Sequence, residues 1–218
     1  MAANPGFPLT FDVRGYAVLV LGGDEEAADK TERLLEAGAK VTVVSPTLHE
    51  RLKQLAASAK IIHRGRQFRE TDFEGVILIL NMIRGDREFA RSLFARSRER
   101  KVPVWSVDMP EASSVTMPAV VASGHVRVAI TTSGVAPALS GFMKEDLERI
   151  LDGEFAAFVE WLGQLREQAK ANEPDAEKRR ALLRDALDGF RLLGKVQYPK
   201  VWLEERAKQK GEPTAAQS

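Results

Sequence analysis

The residues of this chain that could do chemistry sit at the ends of short apolar runs. Gly22 and Gly23 close "YAVLVLGG", Ser45, Pro46 and Thr47 follow "KVTVV", and Asp108 follows "VPVWSV". A glycine pair after a strand lets the chain turn sharply into a helix, whose first N–H groups then face an anion such as a pyrophosphate. The dinucleotide fingerprint G-x-G-x-x-G/A falls here on Gly22, Asp24 and Ala27. Asp24 brings bulk and like charge where phosphate approaches the backbone, and Glu25 and Glu26 add to it. These residues therefore read either as a nicotinamide-dinucleotide turn or as a turn of the same shape whose acids only partner the first helical turn. Ser45 and Thr47 could meet the adenosine ribose, and with no adjacent arginine for a 2′-phosphate the stretch favours NAD over NADP. Its bland reading is a simple turn.

Asp108 lies where a carboxylate could accept a proton or let a metal approach, since ligands of open α/β sheets bind outside the carboxyl ends of the strands. It could equally cap a turn. "TTSG" at Thr131, Thr132, Ser133 and Gly134 precedes Pro137, as at a helix start, with Thr131 to Ser133 as expected caps and an anionic ligand as the functional alternative. His49, His63 and His125 are scattered without ligand spacing, so no metal site is expected.

Elements must position these residues. Runs at 16–21 and 40–44 read as buried parallel strands flanking a helix from Glu25 to Ala37, with Gly38 at its end. A second round follows: helix 48–57, strand 60–63, strand 75–82, helix 86–100 and strand 102–107. The alternation predicts a Rossmann-like parallel sheet over 1–110, hence an α/β protein. Beyond it, "PAVVASGHVRVAIT" predicts a β-hairpin turning at Ser123 and Gly124, within a dimerisation region over 111–150. A helix at 138–151 ends that region, helices at 154–171 and 177–193, with a short piece after Pro199, make a helical C-terminal domain over 151–209, and 210–218 reads as a disordered tail. The hairpin and apolar helical faces predict a homodimer.

Net charge is +1, with 32 Lys+Arg against 31 Asp+Glu, which gives no electrostatic case for nucleic-acid binding. Cysteine is absent, excluding thiolate catalysis, disulfides and Cys-ligated metal. No segment approaches the ~18 consecutive apolar residues of a membrane span, and the N-terminus lacks the pattern of a secretory leader. The chain reads as cytoplasmic.

Three separated blocks, "GGDEEAADKTERLLEAGAKVTVVSP", "VDMPEASSVTMPAVV" and "VRVAITTSGVAPALSGFMKEDLE", together resemble the amino-terminal domain of siroheme synthase and the stand-alone precorrin-2 dehydrogenases, some of which are also sirohydrochlorin ferrochelatases. The resemblance runs from about residue 9 to residue 170. It implies an NAD-binding domain, a dimer, and oxidation of the tetrapyrrole precorrin-2 to sirohydrochlorin, with Fe²⁺ insertion as an optional second reaction. It maps the catalytic aspartate onto Asp108, cofactor contacts onto Gly22, Gly23, Glu25, Glu26, Pro46 and Thr47, and the loop beside the tetrapyrrole onto Thr131, Thr132 and Ser133. The chain departs from the family pattern at Asp24, Asp29, Trp105 and "MIRGD" over 82–86, mostly around the cofactor. Those departures leave a rival reading: a non-catalytic or cofactor-free tetrapyrrole-binding homologue, or a chelatase only.

Overall fold

The computed structural model describes residues 6–203, so the tail expected over 210–218 lies outside the described residues. Five strands, β1 (Ala17–Leu21), β2 (Lys40–Val44), β3 (Ile62–Arg64), β4 (Val76–Asn81) and β5 (Val104–Ser106), form one parallel sheet in the order β3-β2-β1-β4-β5. The helices α1 (Glu25–Glu36), α2 (Glu50–Ala57) and α3 (Arg87–Glu99) connect them.

Alternation along β1 explains why the sheet is covered on both faces. Val18 and Val20 join one core with Val41, Val43, Ala27, Ala28 and Leu52, while Leu19 and Leu21 join another with Val44, Ile79, Val104 and Leu93. All four β1 residues are fully buried, each stabilising the fold by roughly 1.5–3 kcal/mol. The helices add matched ends: Asp24 Oδ1 accepts from the Ala27 N–H at 2.8 Å, and Asp86 Oδ1 accepts from the Phe89 N–H at 2.9 Å.

The strand order fixes where a ligand could enter. The chain moves from β1 outward to β2 and β3, then returns to lay β4 on the other side of β1. The switch point therefore lies between β1 and β4, and the carboxyl ends of the strands there are where ligands of open α/β sheets bind.

After β5 the chain forms the expected hairpin, β6 (Ala119–Ser123) with β7 (Val126–Ile130), antiparallel in the register Ala119↔Ile130 to Ser123↔Val126. Val121 and Ile130 pack with Leu147 and Leu151 of the following helix, α4 (Pro137–Ile150), and its end. These residues belong to one compact unit reaching Ala156; a second unit starts at Ala157, within α5 (Gly153–Asn172). In the second unit the Phe158 ring stacks on Trp161 at 5.9 Å and on Phe190 at 5.5 Å.

Two local expectations are corrected. The helix expected over 177–193 is α6 (Ala176–Asp185) and stops eight residues early, because Gly189 adopts φ +77° and α6 buries no residue that would reward a further turn. The caps expected at Thr131 to Ser133 do not form: α4 begins at Pro137 with Ala136 before it and no side-chain cap. Proline at the first position removes one N–H that would otherwise need a partner. Thr131 instead accepts the Ser133 N–H at 3.3 Å, and Ser133 and Gly134 both take positive φ.

Candidate functional site

Gly23 is where the turn after β1 meets the loop after β2. A Cβ built there would stand 2.0 Å from the Thr47 carbonyl oxygen and 2.8 Å from Ser45 Oγ, so only glycine lets these backbones touch. The Gly23 carbonyl accepts the His49 N–H at 2.6 Å, tying the turn to the start of α2. Gly22 has φ +111° and donates its N–H to Val44 O at 3.0 Å. Ser45 is buried in this contact, and its carbonyl accepts from His63 Nε2 at 3.0 Å, which places the imidazole proton on that nitrogen. Next to it an open cavity of 490 Å³ is lined by Pro46, Thr47, Leu48, Lys53, Ala56 and His63. No carboxylate lines it, and its size suits a nucleoside.

Asp72 anchors the chain that follows β3. Its side chain is fully buried, accepts two contacts from Arg66 at 2.7 and 2.8 Å and the Arg69 N–H at 2.8 Å, and pairs with Arg64. Burial pushes the Asp72 carboxyl up, but the two guanidiniums and the Arg69 N–H outweigh it and bring it down to about 2.

On the other side of β1, Asn81 ends β4 as a buried side chain. It donates to Ser106 Oγ at 3.3 Å and accepts the Ile83 N–H at 3.2 Å, while its carbonyl takes the Val107 N–H at 2.9 Å. The ends of β4 and β5 are thus held together, and each delivers one charged residue. After β5 the Met109 N–H returns to Ser106 O at 3.2 Å, and Asp108 sits in that turn at φ +55° with its side chain 75 % exposed. Aspartate tolerates the left-handed region better than most residues.

After β4 comes Arg84, which the sequence reading passed over except as part of "MIRGD". Its Nε donates to Asp108 Oδ2 at 3.2 Å, its Nη1 lies 3.5 Å from Asp24 Oδ2, and its Nη2 pairs with Glu26. One guanidinium thus joins the acidic turn to the candidate catalytic aspartate. Hydrogen bonds donated to Glu26 and then to Asp108 hold the Arg84 guanidinium above its already high ordinary value. Lys30 approaches Glu26 at 3.9 Å and stands 5.5 Å over the Trp105 ring. The signal in the sequence was an arginine at the end of the fourth strand opposite acids at the end of the first.

The structure brings Gly22, Gly23, Ser45, Pro46 and Thr47 together on one side of β1, and Asp24, Glu26 and Asp108 on the other. Glu25 opens α1 between them. The hydrogen bonds of the Thr131 to Gly134 loop stay within the loop, as with Val135 N–H to Thr132 O at 2.9 Å. Arg127 spends its guanidinium on the Gly124 and Val126 carbonyls of the hairpin turn, and Lys144 pairs with Glu148 at 3.5 Å. Among the described residues no group of three His, Asp or Glu is placed to hold a metal ion, and no helix is long and apolar enough to cross a membrane.

Residues 9–119 match the sequence family described as "Putative NAD(P)-binding". The chain is 32% identical over 204 residues to a siroheme synthase of Neisseria meningitidis, covering 93% of this chain and 42% of that protein. It is 32% identical over 192 residues to a siroheme synthase of Gluconacetobacter diazotrophicus (86% and 41%) and 30% identical over 182 residues to one of Methylobacillus flagellatus (84% and 39%). It therefore spans about two fifths of the length of these relatives. Its fold matches the solved structure of SirC, a precorrin-2 dehydrogenase, with a TM-score of 0.72 and 22% identity over 94% of this chain and 98% of that one.

Proposed function

This chain belongs to the NAD(P)-binding, siroheme synthase N-terminal-like family, and from that premise we propose that it oxidises precorrin-2 to sirohydrochlorin with NAD as acceptor. The observation that carries the reading is the position of Asp108, an exposed carboxylate on the turn after β5, at the same sheet edge as the Gly22–Gly23 turn. The residues present fit a dinucleotide: Gly23 has no room for a Cβ against Thr47, and the adjoining cavity, lined by Pro46, Thr47, Leu48 and Lys53 among others, has the size of a nucleoside.

When bound, the nicotinamide supplies the hydride acceptor. Asp108 then takes the proton that leaves the macrocycle with the same two-electron oxidation, so its carboxylate must be ionised and within reach of a ring position. Its exposed position on a tight turn suits contact with a large, flat substrate. The Thr131, Thr132, Ser133 and Gly134 loop, with consecutive positive φ at Ser133 and Gly134, offers hydroxyls and N–H groups to the substrate's carboxylates.

A homodimer belongs to the same proposal. α4 buries none of its residues, and Leu139, Phe142 and Met143 on it, with Val135 just before it, leave an apolar strip that a second copy would cover. A chelatase using Fe²⁺ as substrate, without dehydrogenation, is the second reading, favoured by the Asp24 carboxylate already seated on the first turn of α1.

The test is conversion of precorrin-2 by the purified protein with NAD, followed by absorbance, with sedimentation of the same preparation. We expect NAD-dependent conversion by a dimer, and Asp108→Asn to reduce turnover by roughly 10²–10⁴ fold with NAD binding intact, the usual range for a general base. Iron insertion without NAD-dependent oxidation would establish the second reading. Sedimentation as a 24.1 kDa monomer would remove the dimer.

A further inference from the structure

We propose that Arg84 is a dinucleotide-binding residue of this chain, the cation that makes its acidic β1–α1 turn receptive to a pyrophosphate. This rests on the NAD-dependent reading above and deepens it. A phosphate-binding turn commonly works by an uncrowded backbone, with N–H groups and the helix dipole facing the anion. Here that device is partly spent. Asp24 stands in the second fingerprint position, and its Oδ1 already holds the Ala27 N–H at 2.8 Å. The Gly22 N–H is spent on Val44 O. Asp24 and Glu26 would repel an incoming phosphate.

Arg84 offsets that repulsion by its place in the fold. It is carried on the loop after β4, the strand beside β1, so it faces the turn from across the switch point. That loop is fixed at one end by Asn81, which accepts the Ile83 N–H, and at the other by Asp86 capping α3. Its guanidinium reaches Asp24, Glu26 and Asp108 at once, and of the three only Glu26 has a second cation near it among the described residues, Lys30 at 3.9 Å. All of them are on side chains at least one third exposed, where ion pairs are weakly held and exchange partners readily. A pyrophosphate entering at the switch point offers the planar guanidinium a bidentate partner that displaces a carboxylate. Lysine, a single point charge, would perform this poorly.

The experiment is calorimetric titration of NAD into the full chain as wild type, Arg84→Met and Arg84→Lys, with folding of each variant checked by its unfolding midpoint. Arg84→Met should weaken NAD binding by about tenfold or more, the loss of one charge-assisted contact and the exposure of unpaired acids, and Arg84→Lys should recover part of it. The same Arg84→Met loss should appear with ADP, which carries the pyrophosphate without the nicotinamide. Equal or tighter NAD binding by a folded Arg84→Met protein would overturn the assignment while leaving the NAD-dependent function in place. A wild type that binds neither NAD nor ADP would overturn both.

Discussion

On the β2 side of the sheet edge, Gly23 and Thr47 meet through main chain, with a carbonyl oxygen where a Cβ would go, a buried Ser45 beside them and the His63 ring on the Ser45 carbonyl. On the β4 side, Asp24, Glu26, Arg84 and Asp108 meet only through charged side chains standing partly in water. The first arrangement has one packed state, because backbone atoms in contact have no alternative partner. The second has several of similar energy, because exposed ion pairs contribute only about 0–1 kcal/mol each. A site for a dinucleotide and a large substrate uses both: a rigid slot for the part that is always the same, and exchangeable charges where ligands enter and leave.

The contrast can be broken most severely at Gly23. Gly23→Ala drives a methyl into the Thr47 carbonyl, and the separation of the two loops should cost about 3 kcal/mol in the urea midpoint, with NAD binding falling in parallel. A variant of unchanged stability would mean that the slot is as pliable as the charged side.

Asp72, whose network holds the chain after β3, should give the next largest effect, and through pH. Its folded value of about 2 lies below the ordinary 3.8, so it contributes stability that is present above about pH 4 and lost as pH falls toward 2. The stability difference between wild type and Asp72→Asn should shrink by about 2 kcal/mol over that window in urea titrations at successive pH values. A constant difference would show that the carboxyl is held by packing alone.

The smallest effect belongs to the charged side. Asp24→Gly removes the α1 cap at a cost of only about a few tenths of a kcal/mol and relieves Arg84 of one carboxylate, so NAD should bind about threefold tighter with a nearly unchanged unfolding midpoint. Weaker binding would show that the Asp24 cap itself shapes the turn.

Much of the frame was legible in the residues. Period-two branched runs, the acids ahead of α1 and α3, and the glycine after α1 reflect preferences that act over a few residues, so they survive into the fold. The readings that failed were also local. Thr131 to Ser133 had the residue types of a cap, yet the chain spent them on a tight loop and let Pro137 start α4. The last long helix lacked a buried face to extend it past Asp185.

Composition and spacing by themselves determined an α/β chain with a turn at Gly22–Gly23 and a carboxylate at Asp108 after its last strand. The tertiary structure alone decided what those residues face. Arg84 lies 58 residues from Glu26 and 24 from Asp108 along the chain, and they share one guanidinium because the strand order returns β4 to the side of β1 and places β5 beyond it. Gly23 likewise meets Thr47 because β2 lies on the opposite side. Such pairings depend on which strands become neighbours, and neighbourhood is settled by burying both faces of the whole sheet at once, a requirement no single stretch of sequence carries.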